Sequence, residues 1–189
     1  MKKYKVLFLA LLVINLLVIS VCALLVSLPG SNNPPDKTNR NSQYEFQITS
    51  TKESLNSFVK SYLARQAKDK DPNYQVVIND EVQVKGEIQA FASFINAQVS
   101  FEPVVEENGD VTLKVTELSL GRLNLPVSFV LNYMNRFYQL PDFVHVYSGE
   151  KEIEIRLSDM PLDNGMYVRA EKIDLKNDDI EFRYYHPGE

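Results

Sequence analysis

His145 and His186 are the only histidines in the 189 residues, and histidine is the side chain that exchanges protons near neutral pH. His145 stands between Val144 and Val146 in a stretch that alternates as a strand does, which reads as a satisfied strand histidine. His186 falls in the terminal Tyr-His-Pro-Gly-Glu, where chain ends fray. A metal centre needs three or four converging ligands, and no His-x-x-x-His, Cys-x-x-Cys or calcium-loop spacing is present. Asp174, Asn177, Asp178 and Asp179 form an acidic turn without the glycine and ligand spacing of a calcium loop. A Gly-x-Ser-x-Gly elbow and a glycine-rich phosphate loop are both missing. Paired carboxylates for glycoside chemistry need only meet in space, so spacing leaves them open. Glu152 and Glu154 point to the same side of one predicted strand and read as a wet face. The expectation is a protein that is not an enzyme and takes no metal or cofactor.

Apolar residues are more distinctive than reactive ones. Leu118, Leu120, Leu123 and Leu125 lead into a second predicted helix carrying Phe129, Tyr133 and Phe137, with Arg122 and Arg136 along the same stretch. Two readings stand. The residues are core, or a curved sheet and that helix leave an apolar groove of the kind that holds acyl chains. In the second reading Arg122 and Arg136 would meet a lipid headgroup.

The elements that must position these residues follow from periodicity. Tyr44, Phe46 and Ile48 alternate as a strand, and Ser50-Thr51-Lys52-Glu53 supplies a capping box. Leu55, Phe58, Val59, Tyr62 and Leu63 recur at three and four, one stripe of a helix that should lie on a sheet. From Tyr74 the period is two. Asn108-Gly109 marks a tight hairpin, because a primed turn needs positive φ. At Glu117 the apolar phase slips, which predicts a bulge or bend. Pro126 opens the second helix and Pro141 closes it. A helix apolar over so much of its girth should be contacted on several sides. Two helices among about eight strands give an α+β domain with a large curved antiparallel sheet.

Residues 6–28 are uncharged and apolar behind Lys2, Lys3 and Lys5. At a rise of about 1.5 Å per residue they span roughly 35 Å, enough for a hydrocarbon core of about 30 Å. The run is too long for the core of a cleaved signal peptide, and Val21 is too bulky for a lipobox before Cys22. Basic residues stay cytoplasmic, so the expected order is a cytoplasmic tail at 1–5, a transmembrane anchor at 6–28, a Pro- and Asn-rich flexible linker at 29–43 and an extracytoplasmic domain at 44–189. All 25 acidic residues and 17 of the 20 basic ones lie beyond residue 28, a net charge of −8. That excludes phosphate-led nucleic-acid binding, and Cys22, the single cysteine, leaves the domain no internal disulfide.

Phe101-Glu102-Pro103, Asn108-Gly109-Asp110-Val111, the run from Leu118 to Pro126 and Lys172-Ile173-Asp174-Leu175-Lys176-Asn177-Asp178 together resemble the YpmS family of Gram-positive bacterial single-pass membrane proteins. The resemblance spans nearly the whole chain and implies no catalytic residues. The stretch from Leu118 to Pro126 before an apolar helix also resembles envelope proteins with a lipid-binding superroll. That likeness implies a curved sheet wrapped round a helix and sheltering lipid tails, here as one lobe, with a homodimer as a way to complete it. The expected function is a cell-membrane-anchored module of the Gram-positive envelope that binds a lipid or another apolar ligand without catalysis. The alternative is an interaction module whose partner is a membrane or cell-wall enzyme.

Overall fold

The computed structural model describes residues 42–66, 74–90, 93–121 and 123–187. The expected tail and anchor, and the linker up to residue 41, lie outside the described residues. Among the described residues no helix is long and apolar enough to cross a membrane.

Strand β1 (Ser42–Ser50) runs directly into helix α1 (Lys52–Gln66). The cap falls one residue later than the expected box: the Ser54 N–H donates to Thr51 Oγ1 at 3.2 Å. A carboxylate from the far end of the chain also helps, Asp178 Oδ1 accepting the Lys52 N–H at 2.6 Å. Negative charge at a helix N-terminus is favourable because unpaired N–H groups point at it. Leu55, Val59 and Leu63 turn toward the core, yet no residue of α1 is fully buried.

Six strands form one antiparallel sheet in the order β2-β3-β4-β5-β7-β6: β2 (Tyr74–Ile78), β3 (Val82–Ala90), β4 (Ser93–Val105), β5 (Val111–Ser119), β6 (Val144–Tyr147) and β7 (Glu152–Ile155). The sheet curves into a half-barrel. Its inner face is set by strict alternation, with Val84 opposite Val99, Phe101 opposite Val115 and Leu113 opposite Ile153. The predicted phase slip is a bulge: Ser100 pairs with Glu117 and Phe101 with Val115, so Thr116 is the extra residue. The hairpin at Asn108-Gly109 is longer than a two-residue turn. Glu106 and Asp110 close it backbone to backbone at 2.9 Å, and only Gly109 takes positive φ there, at 82°.

A second, three-stranded sheet has the order β1-β9-β8, with β8 (Tyr167–Asp174) and β9 (Asp179–Pro187). The large curved antiparallel sheet expected from periodicity is the six-stranded one, and the second sheet brings the strands to nine among the described residues. Pairing of β1 with β9 joins residues about 140 positions apart, such as Glu45 and Tyr185, and no local pattern encodes that. His186, expected in a frayed end, pairs with Tyr44 in β9. The Gly109 carbonyl ties the two sheets together by accepting the Ala170 N–H at 2.8 Å.

Helix α2 (Val127–Phe137) crosses from β5 to β6, with Pro126 at its N-cap. Val130, Leu131 and Met134 are buried on one face. Phe129 and Phe137 stay exposed, so among the described residues this helix is contacted on one side rather than on several. Ile88, Phe101, Leu131 and Ile180 centre the main core, each contributing about 1.5–3 kcal/mol by leaving water.

Candidate ligand-binding site

Beneath α1 the apolar stripe meets the sheet without filling the space. A cavity of about 220 Å³ lies between Phe58, Tyr62 and Leu63 on the helix and Val84, Leu113 and Ile153 on the sheet. Met134 of α2 and Phe182 of β9 also reach it. Its wall exposes no polar atom. Dry apolar cavities of about 150 Å³ already admit a benzene-sized guest, so this hollow has room for a segment of hydrocarbon.

The helix over the cavity is fixed at one end. Lys52 receives the Asp178 cap and forms an ion pair with Asp80 at 3.1 Å. Asn56 bonds the main chain of Ile78 through both amide atoms. Beyond Asn56, the described contacts of α1 with the sheet side are apolar or aromatic, as in the edge-on packing of Tyr62 against Phe143 at 5.7 Å. Burial raises the Tyr62 hydroxyl above the usual range, with a smaller push from Asp142. Apolar surface continues outward from the cavity: Phe58 is 44% exposed, and Ile48, which pairs with cavity-lining Phe182, is 43% exposed.

None of the residues expected to form an apolar groove, Leu118, Leu120, Leu123, Leu125, Phe129, Tyr133 and Phe137, lines this cavity. Leu120 is buried in the main core, and Leu118, Leu125 and Tyr133 pack half-buried against it. Leu123 and Phe129 are exposed. Tyr133 and Phe137 come together, rings 4.5 Å apart, at a second and more open cleft of about 930 Å³. Arg136 is exposed with its guanidinium 5.9 Å from the Phe137 ring centre; Arg122 lies outside the described residues. Tyr74 and Tyr138 stack at 5.0 Å beside this cleft, and burial pushes the Tyr138 hydroxyl up to about 12. The signal for the cavity residues was the stripe Leu55, Val59 and Leu63. Periodicity shows that it faces a sheet but not how closely it packs.

Glu154 and the carboxylates of the acidic turn have structural partners. His145 faces Glu154 across β6 and β7. Glu154, expected on a wet face, is only 19% exposed: it accepts from Arg156 Nε at 2.9 Å and from the Tyr147 hydroxyl at 3.0 Å. Asp174 accepts from Asn177, Asp178 caps α1 and Asp179 pairs with Lys172, which accounts for the acidic turn. Among the described residues no three His, Cys, Asp or Glu side chains come together as a metal site.

The family described as an uncharacterized protein conserved in bacteria (DUF2140) matches residues 2–186. The chain belongs to this family. It is also 55% identical over 187 residues to the uncharacterized protein YpmS of Bacillus subtilis (strain 168), covering 99% of each chain. No solved structure matches it. The YpmS resemblance carried by the turn and strand-end motifs is thus a family relationship along almost the full length.

Proposed function

We propose that this member of the YpmS family is a membrane-tethered extracytoplasmic module that shelters the hydrocarbon part of a lipid beneath α1 and performs no chemistry on it. The observation that carries this reading is the cavity wall, which offers an occupant dispersion contacts and no hydrogen bond. At about 220 Å³ the hollow sits below the usual range of ligand pockets, about 300–1,000 Å³. A longer chain requires α1 to lift. The polar bonds at Lys52 and Asn56 make the start of the helix a pivot, while the apolar contacts toward Leu63 can part and re-form around a tail. Exposed Phe58 and Ile48 give the tail an apolar access route. The uncharged run at 6–28 supports the membrane tether.

The test uses the compact unit Lys37–Glu189, which holds the described core, and a polyene fatty acid that fluoresces only away from water. The expected result is saturable one-to-one binding, weakened at least tenfold by Leu63→Trp, which fills the cavity, with thermal stability retained. Absence of saturable binding, or binding indifferent to Leu63→Trp, overturns the proposal.

A further inference from the structure

β1 and β9 sort their residues by face. On one face Glu45, Gln47, Glu181 and Arg183 are tied to one another, the Gln47 amide donating to Glu181 at 2.8 Å and the Arg183 guanidinium pairing with Glu45 at 3.4 Å. Phe46, Ile48, Ile180, Phe182 and Tyr184 occupy the other, Phe46 opposite Tyr184 and Ile48 opposite Phe182, and none of them carries a charge. Ile180 is buried in the main core and Phe182 packs against it, which fixes that face as the inner one. The core stops short of β1, however. Phe46 is 65% exposed, Ile48 is exposed beside Phe182, and so is Phe58, which shares the cavity wall with Phe182.

Three large apolar side chains thus reach water on β1 and on the helix that follows it, and exposed apolar surface of this kind marks an interaction site. β1 is the outer strand of its sheet. A further strand added there would cover the main-chain edge, whereas side chains stand perpendicular to the sheet. The face calls for an apolar surface laid over it.

The chain indicates which surface. The uncharged run ends at residue 28 and β1 begins at Ser42, so thirteen residues, 29–41, separate them. Fully extended they reach at most about 45 Å. Phe46 comes four residues after Ser42, roughly 13 Å along the strand. It therefore sits beside the point at which the tether enters the domain. A tether keeps the local concentration of lipid high, so shallow insertion of a few side chains is enough to hold the domain down.

We infer that the domain docks on the bilayer surface through Phe46, Ile48 and Phe58, with these side chains at the boundary between headgroups and acyl chains. The docking rests on the membrane tether proposed above and not on an occupied cavity. It also supplies the cavity: an acyl chain that leaves the bilayer at Ile48 and Phe58 passes under α1 without crossing water.

The chain contains no tryptophan, so a single introduced one reports its own surroundings. Phe46→Trp, Ile48→Trp and Phe94→Trp, all at exposed positions, are made one at a time in the full chain. Each is reconstituted in vesicles of phosphatidylcholine and phosphatidylglycerol in equal parts, with acyl chains plain or brominated. Brominated lipid is expected to dim Phe46→Trp and Ile48→Trp at least twofold. Phe94→Trp, at a position 69% exposed on β4, is expected to keep its brightness. Equal dimming at Phe94→Trp, or no dimming at residues 46 and 48, overturns the docking. Blue-shifted emission at those two positions without dimming means that a second copy or another protein covers the face, and overturns it as well. A full chain that does not float with the vesicles overturns tether and docking together. Phe46 is not part of the cavity lining, so its dimming reports the bilayer and not a sheltered tail. Dimming there without fatty-acid binding by Lys37–Glu189 overturns the sheltering role alone, and fatty-acid binding without dimming overturns the docking alone.

Discussion

The side-chain amide of Asn56 pairs with the main chain of Ile78 in both directions, Nδ2 donating to its carbonyl at 2.6 Å and Oδ1 accepting its N–H at 2.8 Å. β2 is an edge strand, and an edge presents unpaired main-chain groups that a protein must cover. Asn56 covers two of them with one side chain and fastens the helix to the sheet by the same contact. Asn56→Ala leaves half-buried main-chain groups unpaired, at a cost of about 1–3 kcal/mol. Asn56→Asp is expected to be no better, because a carboxylate faces the Ile78 carbonyl in place of a donor. Urea unfolding reads both, and a loss below about 0.5 kcal/mol for Asn56→Ala would remove the pivot from the account.

Asp178 caps α1 from the β8–β9 turn, in a backbone conformation with φ of 56°. Asp178→Ala is expected to cost about 1 kcal/mol, the usual size of a lost cap. Asp178→Asn keeps an acceptor but loses the charge facing the helix dipole, so its stability falls between that of the wild type and that of Asp178→Ala. Because that charge term is exposed to salt, the gap between the wild type and Asp178→Asn should narrow as ionic strength rises. Denaturation at low and high salt compares them directly.

Both helices, the hairpin and the bulge were legible in the sequence because each depends on neighbours a few residues apart. Val130, Leu131 and Met134 of the second helix face the core, and Thr116 bulges one residue from the predicted slip at Glu117. Pairings such as Ile48 with Phe182 depend on chain closure over more than 130 residues, which periodicity does not record. The same distance hid the cap from Asp178. The cavity escaped notice for another reason. Leu118, Leu120 and Leu125 advertise apolar surplus and are consumed by the core, whereas Leu63 and Val59 look ordinary and border a space. Hydrophobic pattern reports which side faces inward, while a hollow depends on what that side fails to fill.

Gly109 is held by two constraints at once. Its φ of 82° belongs to the left-handed region that glycine tolerates, and a Cβ placed there would collide with Arg169 on β8. Its carbonyl meanwhile accepts the Ala170 N–H that joins the two sheets. Gly109→Ala therefore strains the turn and pushes the sheets apart. A loss above about 1 kcal/mol is expected, with faster amide exchange at Ala170 than in the wild type. Unchanged exchange there would separate the turn from the sheet junction.

Asp110, at the foot of the same hairpin, is 5% exposed. Burial raises its carboxyl above the ordinary value, opposed by main-chain donation from Ser158 and reinforced by the nearby charge of Glu154. A raised value means that the folded state holds this proton more tightly than the unfolded chain does. Its contribution to stability is therefore fully present below the unfolded value of about 3.9 and is lost as pH rises through the folded value. Asp110→Asn keeps an acceptor for Asn108 and removes the buried charge. The variant is expected to exceed the wild type in stability at pH 7, with the advantage shrinking on acidification toward pH 4. Asp174, whose carboxyl Asn177 holds below the usual range, titrates in the opposite sense, but it is common to both proteins and cancels in the difference. Urea midpoints at pH 4, 5.5 and 7 give that difference, and a deficit of equal size at every pH would show that the contacts of Asp110 matter more than its charge.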